Sequence, residues 1–426
     1  VPLIIISKAP TTTTIILTST VTITTATTTT VTTTTTSTST ATTTTTITTA
    51  TTTTASTTST STTKTTSTSV TTTTTPCNKF QAQTTYSVSS NPYCVAAADV
   101  NGDGYNDIIV SNYNANNTGV LLNRGNGTFA AQVTYSTDSR PIYVTAADVD
   151  GDGYKDIIVA NQGANNIGVL RNTGNGTFTA QVTYSTGSSS APYCVTAADV
   201  NGDGKLDIIT ANSNTNNVGV LLNNGNGTFA AQVTYSSGSY PMYVAAADVN
   251  GDGSVDIIVA NFGVNTVGVF INRGNGTFAT QVTYATGSFP CSLAVADVNG
   301  DGHLDITVAN QGANNIGVLL NRGNGTFATQ VTYSTGSSSV PYSVAAADIN
   351  GDSYIDVIVA NSGLGNVGVL LNRGNGTFAT QVTYSTGSSS GTFSVAVADL
   401  NSGGKPDIIV ANDNANNVGV LLNDCT

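Results

Sequence analysis

Nine residues, Asp99-Val-Asn-Gly-Asp-Gly-Tyr-Asn-Asp107, set oxygen-bearing side chains at positions 1, 3, 5 and 9 of one short segment. Glycines at positions 4 and 6 let the backbone turn tightly, and position 7 can offer its carbonyl. A hard cation wants such a cage: Ca²⁺ takes six to eight oxygens at about 2.3–2.6 Å. An EF-hand loop shares this first half but places a bidentate Glu at position 12. Here position 12 is Val110, inside the apolar run Ile108-Ile109-Val110. The segment therefore reads as a calcium loop closed by Asp107, feeding a strand rather than a helix.

The loop recurs, with first residues Asp99, Asp148, Asp199, Asp248, Asp297, Asp348 and Asp399, at steps of 49 or 51 residues. Self-similarity at that period marks a propeller or a solenoid. Five loops carry a full ligand set: Asp99, Asn101, Asp103 and Asp107 with the Tyr105 carbonyl; Asp148, Asp150, Asp152 and Asp156 with Tyr154; Asp199, Asn201, Asp203 and Asp207 with Lys205; Asp248, Asn250, Asp252 and Asp256 with Ser254; Asp297, Asn299, Asp301 and Asp305 with His303. The sixth, Asp348, Asn350, Asp352 and Asp356 with Tyr354, has Ser353 in place of a glycine, which predicts weaker binding if that residue needs φ > 0. The seventh, Asp399, Asn401, Gly403 and Asp407, lacks the position-5 carboxylate and is expected to be empty or weak.

These loops dominate the charge. The 426-residue chain has no Glu, and of its 24 acids only Asp138, Asp413 and Asp424 lie outside the seven loops. The formal charge of −12 is mostly metal ligand, and six Ca²⁺ ions would bring it to zero. Without metal, the clustered carboxylates repel. There is no Lys/Arg cluster of the kind nucleic acid requires. No apolar run approaches the roughly 20 residues of a membrane-spanning helix.

The elements that must hold the loops follow a four-strand pattern in each repeat. In the first, these are Tyr93–Ala98, Asp107–Val110, Gly119–Asn123 and Thr128–Ser136, with the turn Gly125-Asn-Gly127 before the last. Asn-Gly between apolar runs is a strong hairpin signal. Four-stranded units repeated radially make a β-propeller, and seven blades is within the usual range. Phe80–Tyr86 copies the fourth strand and Val418–Asn423 the third, so the two chain ends should complete one blade and leave no open edge. The expected fold is all-β: a seven-bladed propeller of four-stranded blades over residues 77–426, closed by its N-terminal strand. Aligning the repeats puts Cys425 and Cys77 on adjacent turn positions, which predicts a disulfide across the closure and an oxidising compartment. Cys94, Cys194 and Cys291, each just before a calcium loop, are expected to be buried free thiols.

Residues 1–76 form an extended tail. Residues 11–76 are about two-thirds Thr, the composition of an O-glycosylated, mucin-like stalk, too polar to repay ordering by itself. At about 3.3 Å per residue the tail could reach on the order of 250 Å. It is either a passive spacer or an assembly segment that docks along neighbouring subunits. Val1-Pro-Leu-Ile-Ile-Ile6 reads either as the end of a processed signal or as a strand that could join another chain's sheet edge.

The loop and strand D-x-N-G-D-G-x-x-D-I-I-V-A-N, followed by G-N-G-T-F, resemble the FG-GAP/VCBS repeat of integrin α-chain heads and many secreted proteins. The resemblance covers Phe80 to Asn423. It implies a seven-bladed propeller with calcium between the first two strands of the blades. Val-Ala-Asn stands where integrins have Gly-Ala-Pro, so integrin-type ligand recognition does not carry over. Some propellers of this type are lectins.

Asn-Gly-Thr is also an N-glycosylation sequon. It occurs at Asn126, Asn175, Asn226, Asn275, Asn324 and Asn375, with a further sequon at Asn116. The lone histidine, His303, lies in a calcium loop, and no nucleophile–base set can be assembled, so no enzyme is expected. The primary reading is a secreted, calcium-binding, glycosylated structural or adhesive protein, extracellular or at the cell surface. Its partner would be itself, in a head-to-tail polymer through residues 1–76, with glycans on Thr, Ser and Asn. The alternative is a carbohydrate-binding propeller, and a calcium-dependent carbohydrate-active enzyme is a third reading.

Overall fold

The computed structural model describes residues 79–388 and 390–424, together with four short strands in the tail. Those strands pair antiparallel as Ile5–Lys8 with Thr13–Ile16 and Val31–Thr34 with Thr44–Ile47. The rest of the stalk, Cys77 and Cys425 lie outside the described residues. By its internal contacts the chain divides into residues 1–76 and residues 77–425.

The second unit is a seven-bladed propeller. In the first blade the strands are Pro92–Ala98, Asp107–Asn112, Asn117–Leu121 and Val133–Ser136, antiparallel and paired in chain order. Six sheets repeat this order within a continuous stretch of chain. The seventh takes Thr392–Ala398, Asp407–Asn412 and Asn417–Leu421 from the C-terminal end and Thr84–Ser87 from the N-terminal end, in register Asn417 to Ser87 through Val420 to Thr84. The first strands of successive blades touch around the whole ring, including the seventh against the first. The closure expected from the two chain ends is present.

Two strand bounds need correction. The third strand is Asn117–Leu121, not Gly119–Asn123, and the fourth begins at Val133, not Thr128. Phe129 makes only a single bridge to Asn123, after which the chain leaves the ladder. The Gln132 side chain then fills the space over Gly119, where a Cβ would fall 1.8 Å from its amide nitrogen. Any side chain at Gly119 would displace Gln132.

The second strand is buried from end to end in every blade, because neighbouring blades cover both of its faces. Its apolar pairs, such as Ile108 and Ile109, are fully enclosed. Each such side chain stabilises the fold by roughly 1.5–3 kcal/mol. The core is accordingly split into seven clusters, one at each blade–blade interface. At every interface the outer-strand tyrosine meets the next blade's phenylalanine edge-on, from Tyr86–Phe129 round to Tyr384–Phe80.

Small alanines let the first strands crowd the axis, and aromatic side chains at their outer ends fill it. The hydroxyls of Tyr93, Tyr193 and Tyr342 converge, with Tyr93 and Tyr193 2.5 Å apart, and Tyr143 pairs with Tyr243 at 3.0 Å. Cys94, Cys194 and Cys291 are buried free thiols, as expected. Burial raises Cys94 to about 11 and Cys291 to about 12.

Candidate metal centres

Antiparallel pairing puts the loops between strands one and two at the same end of each blade as the Gly-Asn-Gly turns between strands three and four. In the first loop the Asp99 carboxylate accepts hydrogen bonds from the Gly102 and Gly104 amides at 2.7 and 2.8 Å. Asp103 accepts from the Tyr105 amide at 2.9 Å. Asp107 is fully buried; it accepts from the Val100 amide at 3.0 Å and the Asn123 amide at 2.7 Å. A carboxylate oxygen that takes one backbone N–H keeps a lone pair for a cation.

The second loop has a carboxylate at position 3 as well, Asp150, where the other loops have Asn. Carboxylate oxygens of Asp148, Asp150 and Asp156 lie within 4.8 Å of one another. Asp150 Oδ1 is buried with no hydrogen-bond partner, while Oδ2 lies 3.8 Å from the Arg171 guanidinium. In the first, fourth, fifth and sixth loops the position-3 amide sits against the position-5 carboxylate, as Asn101 does against Asp103 at 2.9 Å. Burial is the main reason that Asp107, Asp156, Asp256 and Asp305 are raised to about 6 and Asp356 to about 7, with the other loop carboxylates adding to it. Asp207 is raised by the same causes. Buried, mutually repelling carboxylates, one with an orphaned oxygen, fit a divalent cation, whose charge offsets both penalties. These residues would hold a calcium ion that stiffens the loop.

The sixth and seventh loops differ in backbone and ligands from the other five. Ser353 adopts φ 71°, where the equivalent Gly104 has φ 87°, so the sixth loop carries backbone strain. In the seventh loop Ser402 takes φ 59° and Gly403 offers no carboxylate. Asp399 still accepts from the Gly403 and Gly404 amides, and Asp407 is still buried and raised to about 6.

Position 7 has a role that sequence reasoning did not assign. The side chains of Tyr105, Tyr154, Lys205, His303 and Tyr354 lie over the first glycine of their own blade's turn. Further out, Asn126, Asn175, Asn226, Asn275, Asn324 and Asn375 are exposed, and each accepts a hydrogen bond from the hydroxyl of its sequon threonine at 2.6–2.7 Å. Asn116 is exposed at the opposite end, where its side chain accepts from the Arg140 amide at 2.9 Å.

Asn123 lies outside the loop motif but contacts two loops. Its side-chain amide donates to the Asn106 carbonyl in its own loop at 2.9 Å and to the Leu400 carbonyl in the seventh blade's loop at 2.8 Å. The available signal was an Asn sixteen residues after the closing Asp of every repeat.

A family model for the FG-GAP-like repeat matches six overlapping segments, 99–159, 148–210, 199–259, 248–308, 297–359 and 348–410. The chain belongs to the FG-GAP-like repeat family. No curated protein sequence matches it. Among solved structures, the chain is similar to virginiamycin B lyase from Staphylococcus aureus, with TM-score 0.59 and 15% identity over 80% of this chain and 99% of that one. An Agrocybe aegerita lectin that recognises non-reducing terminal N-acetylglucosamine matches with TM-score 0.51 and 23% identity, over 70% and 81%. Kuenenia stuttgartiensis hydrazine synthase matches with TM-score 0.57 and 16% identity, over 80% and 98%. At these identities the FG-GAP-like chain shares their fold.

The opposite end of the propeller carries an exposed aromatic row. Phe262 stacks on Phe289, with ring centroids 4.9 Å apart, and Tyr240 lies against Phe262 at 5.8 Å. Tyr240 and Phe289 are 37% and 46% exposed and both hold positive φ. Bulky side chains are rarely found in that conformation. No helix among the described residues is long and apolar enough to cross a membrane.

Proposed function

We propose that this FG-GAP-like protein is an extracellular, calcium-stabilised and glycosylated structural or adhesive subunit. The propeller is a rigid head, and residues 1–76 join it to further copies in a head-to-tail filament. The observation that carries this reading is the sameness of the loops: one buried-Asp cage recurs in blade after blade, as a distributed stiffener requires. His303 covers a turn glycine, and burial holds the cysteine thiols protonated. These observations support a non-catalytic role. The ring of exposed sequons and the Thr-rich tail support secretion and glycosylation.

A disulfide between Cys77 and Cys425 would clasp the closure. Its support is the neighbouring pairing, in which the Asp424 amide donates to the Lys79 carbonyl at 2.9 Å. Electron microscopy of material from the native source tests the assembly. Filaments with a regular repeat, lost on deleting residues 1–76, are expected; single discs under all conditions would defeat the polymer.

One observation favours the lectin alternative. Tyr240 and Phe289 are exposed on either side of the half-buried Phe262, an apolar aromatic surface of the kind a pyranose face packs on. The outer-strand tyrosines do not, because each packs on the next blade. Glycan-array binding that survives deletion of residues 1–76 and is lost in Tyr240→Ala would establish this reading over the first.

A further inference from the structure

The Asn123 contacts recur without exception. Asn172 donates its side-chain amide to Val100 O at 2.7 Å, Asn223 to Val149 O at 2.8 Å, Asn272 to Val200 O at 2.7 Å and Asn321 to Val249 O at 2.7 Å. Asn372 reaches Val298 O at 2.7 Å, and Asn423 reaches Ile349 O at 2.8 Å. Each acceptor is position 2 of the loop in the preceding blade. The amide of that same position-2 residue donates to its own loop's closing Asp, as Val100 does to Asp107, Val149 to Asp156 and Leu400 to Asp407. The same holds for Val200, Val249, Val298 and Ile349. The closing Asp then accepts from the backbone amide of its own blade's Asn.

These bonds form a closed circle. Asp156 is bonded to Asn172, Asn172 to Val100, Val100 to Asp107, Asp107 to Asn123, Asn123 to Leu400 and Leu400 to Asp407, and so on through every blade back to Asp156. We infer that these asparagines are positioning residues that couple the calcium loops of adjacent blades, so that each site is held in shape partly by the blade that follows it. The inference rests on the calcium reading above. It accounts for one feature that metal binding alone does not: the seventh loop has lost its position-5 carboxylate yet keeps Asp407 and Asn423, both members of the circle. Position 5 takes no part in it.

The coupling has a direction. Asn172 touches the second loop through Lys155 O and the first through Val100 O, and it donates to no other loop. In the full chain, Asn172→Ala should lower calcium affinity in the first and second loops about 10–100-fold, the usual effect of removing an outer-shell partner of a metal site. Hydrogen-exchange mass spectrometry at saturating calcium reads each loop separately. Faster exchange over 99–105 and 148–154, with 248–254 unchanged, is expected; a change confined to the second loop would overturn the inference.

A second variant leaves the circle intact. Asp203→Ala removes a ligand from the third loop only, and should loosen the third and second loops but not the fifth. Loosening of the third loop alone would count against the coupling. Native mass spectrometry counts the bound ions. If the unmodified protein binds no calcium, the metal reading fails, and the exchange pattern of Asn172→Ala still decides whether the loops are coupled.

Discussion

The Tyr135 ring meets the Phe178 ring of the next blade edge-on, with centroids 5.2 Å apart and planes at 78°. The same pair at each interface makes the blade boundary a regular aromatic seam. Such pairs contribute about 0.5–1.5 kcal/mol beyond area burial. A double-mutant cycle of Tyr135→Leu and Phe178→Leu should return a coupling energy in that range from denaturant melts. Strictly additive effects would show that the seam is only apolar contact.

Calcium removal should reverse the pH response. Without calcium, burial raises the closing aspartates above the ordinary 3.8: Asp107, Asp156, Asp256, Asp305 and Asp407 to about 6, Asp356 to about 7, and Asp207 in the same direction. A carboxyl raised on folding contributes stability that is fully present below its unfolded value and is lost as pH rises through the folded one. The calcium-free protein should therefore melt higher near pH 5 than near pH 8, whereas the loaded protein melts lower near pH 5, since protons compete for the ligands. Parallel trends with and without chelator would be inconsistent with calcium at these loops.

Ser353 gives a prediction of opposite sign from most substitutions. It holds φ 71° where the other six loops have glycine. Ser353→Gly should relieve roughly 1 kcal/mol of left-handed strain. The expected outcome is a higher melting temperature and tighter calcium binding in the sixth loop. The reverse change, Gly104→Ser, should cost about as much in the first.

Alkali should act at the axis. Burial raises Cys94 to about 11 and Cys291 and Tyr342 to about 12, and raises Tyr93, Tyr143 and Tyr193 well above their ordinary value of 10.0. Their stabilising effect is complete below the unfolded thiol value of 9.0 and is lost progressively above it. Stability should fall from about pH 9 upward, with a late group of tyrosines ionising together with unfolding. Smooth ionisation of every tyrosine in the folded protein would contradict this packing.

Thiol titration in denaturant, without reductant, tests the clasp. Three reactive thiols, from Cys94, Cys194 and Cys291, are expected, and five would mean that Cys77 and Cys425 are unlinked. The chain-entropy model puts the contribution of closing so long a loop at about 4–5 kcal/mol.

Repetition made the propeller legible in the sequence. A loop with a fixed ligand pattern, returning at a near-constant step, set the blade count. The misplaced ends, Phe80–Tyr86 and Val418–Asn423, showed how the ring closes. What escaped was whatever depends on the neighbouring blade. Asn123 looks like a strand-end asparagine until Leu400 of the seventh blade lies beside it. Tyr93 and Tyr143 occupy successive positions of the first strand in different blades, and only the ring shows that both fill the axis. The fourth strand starts late because Gln132 turns inward over Gly119, a local exchange that an alternating pattern does not reveal.

The closing blade also decides how the head meets tension. Phe80 pairs with Asn423, and Lys79 with Asp424, at the end of the ladder where both termini leave the propeller. A pull between the two termini would therefore open the closing blade like a zipper, one bond after another, beginning at Lys79. Peeling geometry yields at low force. A covalent link just outside that first bond would convert the weakest point of the ring into a fixed hinge.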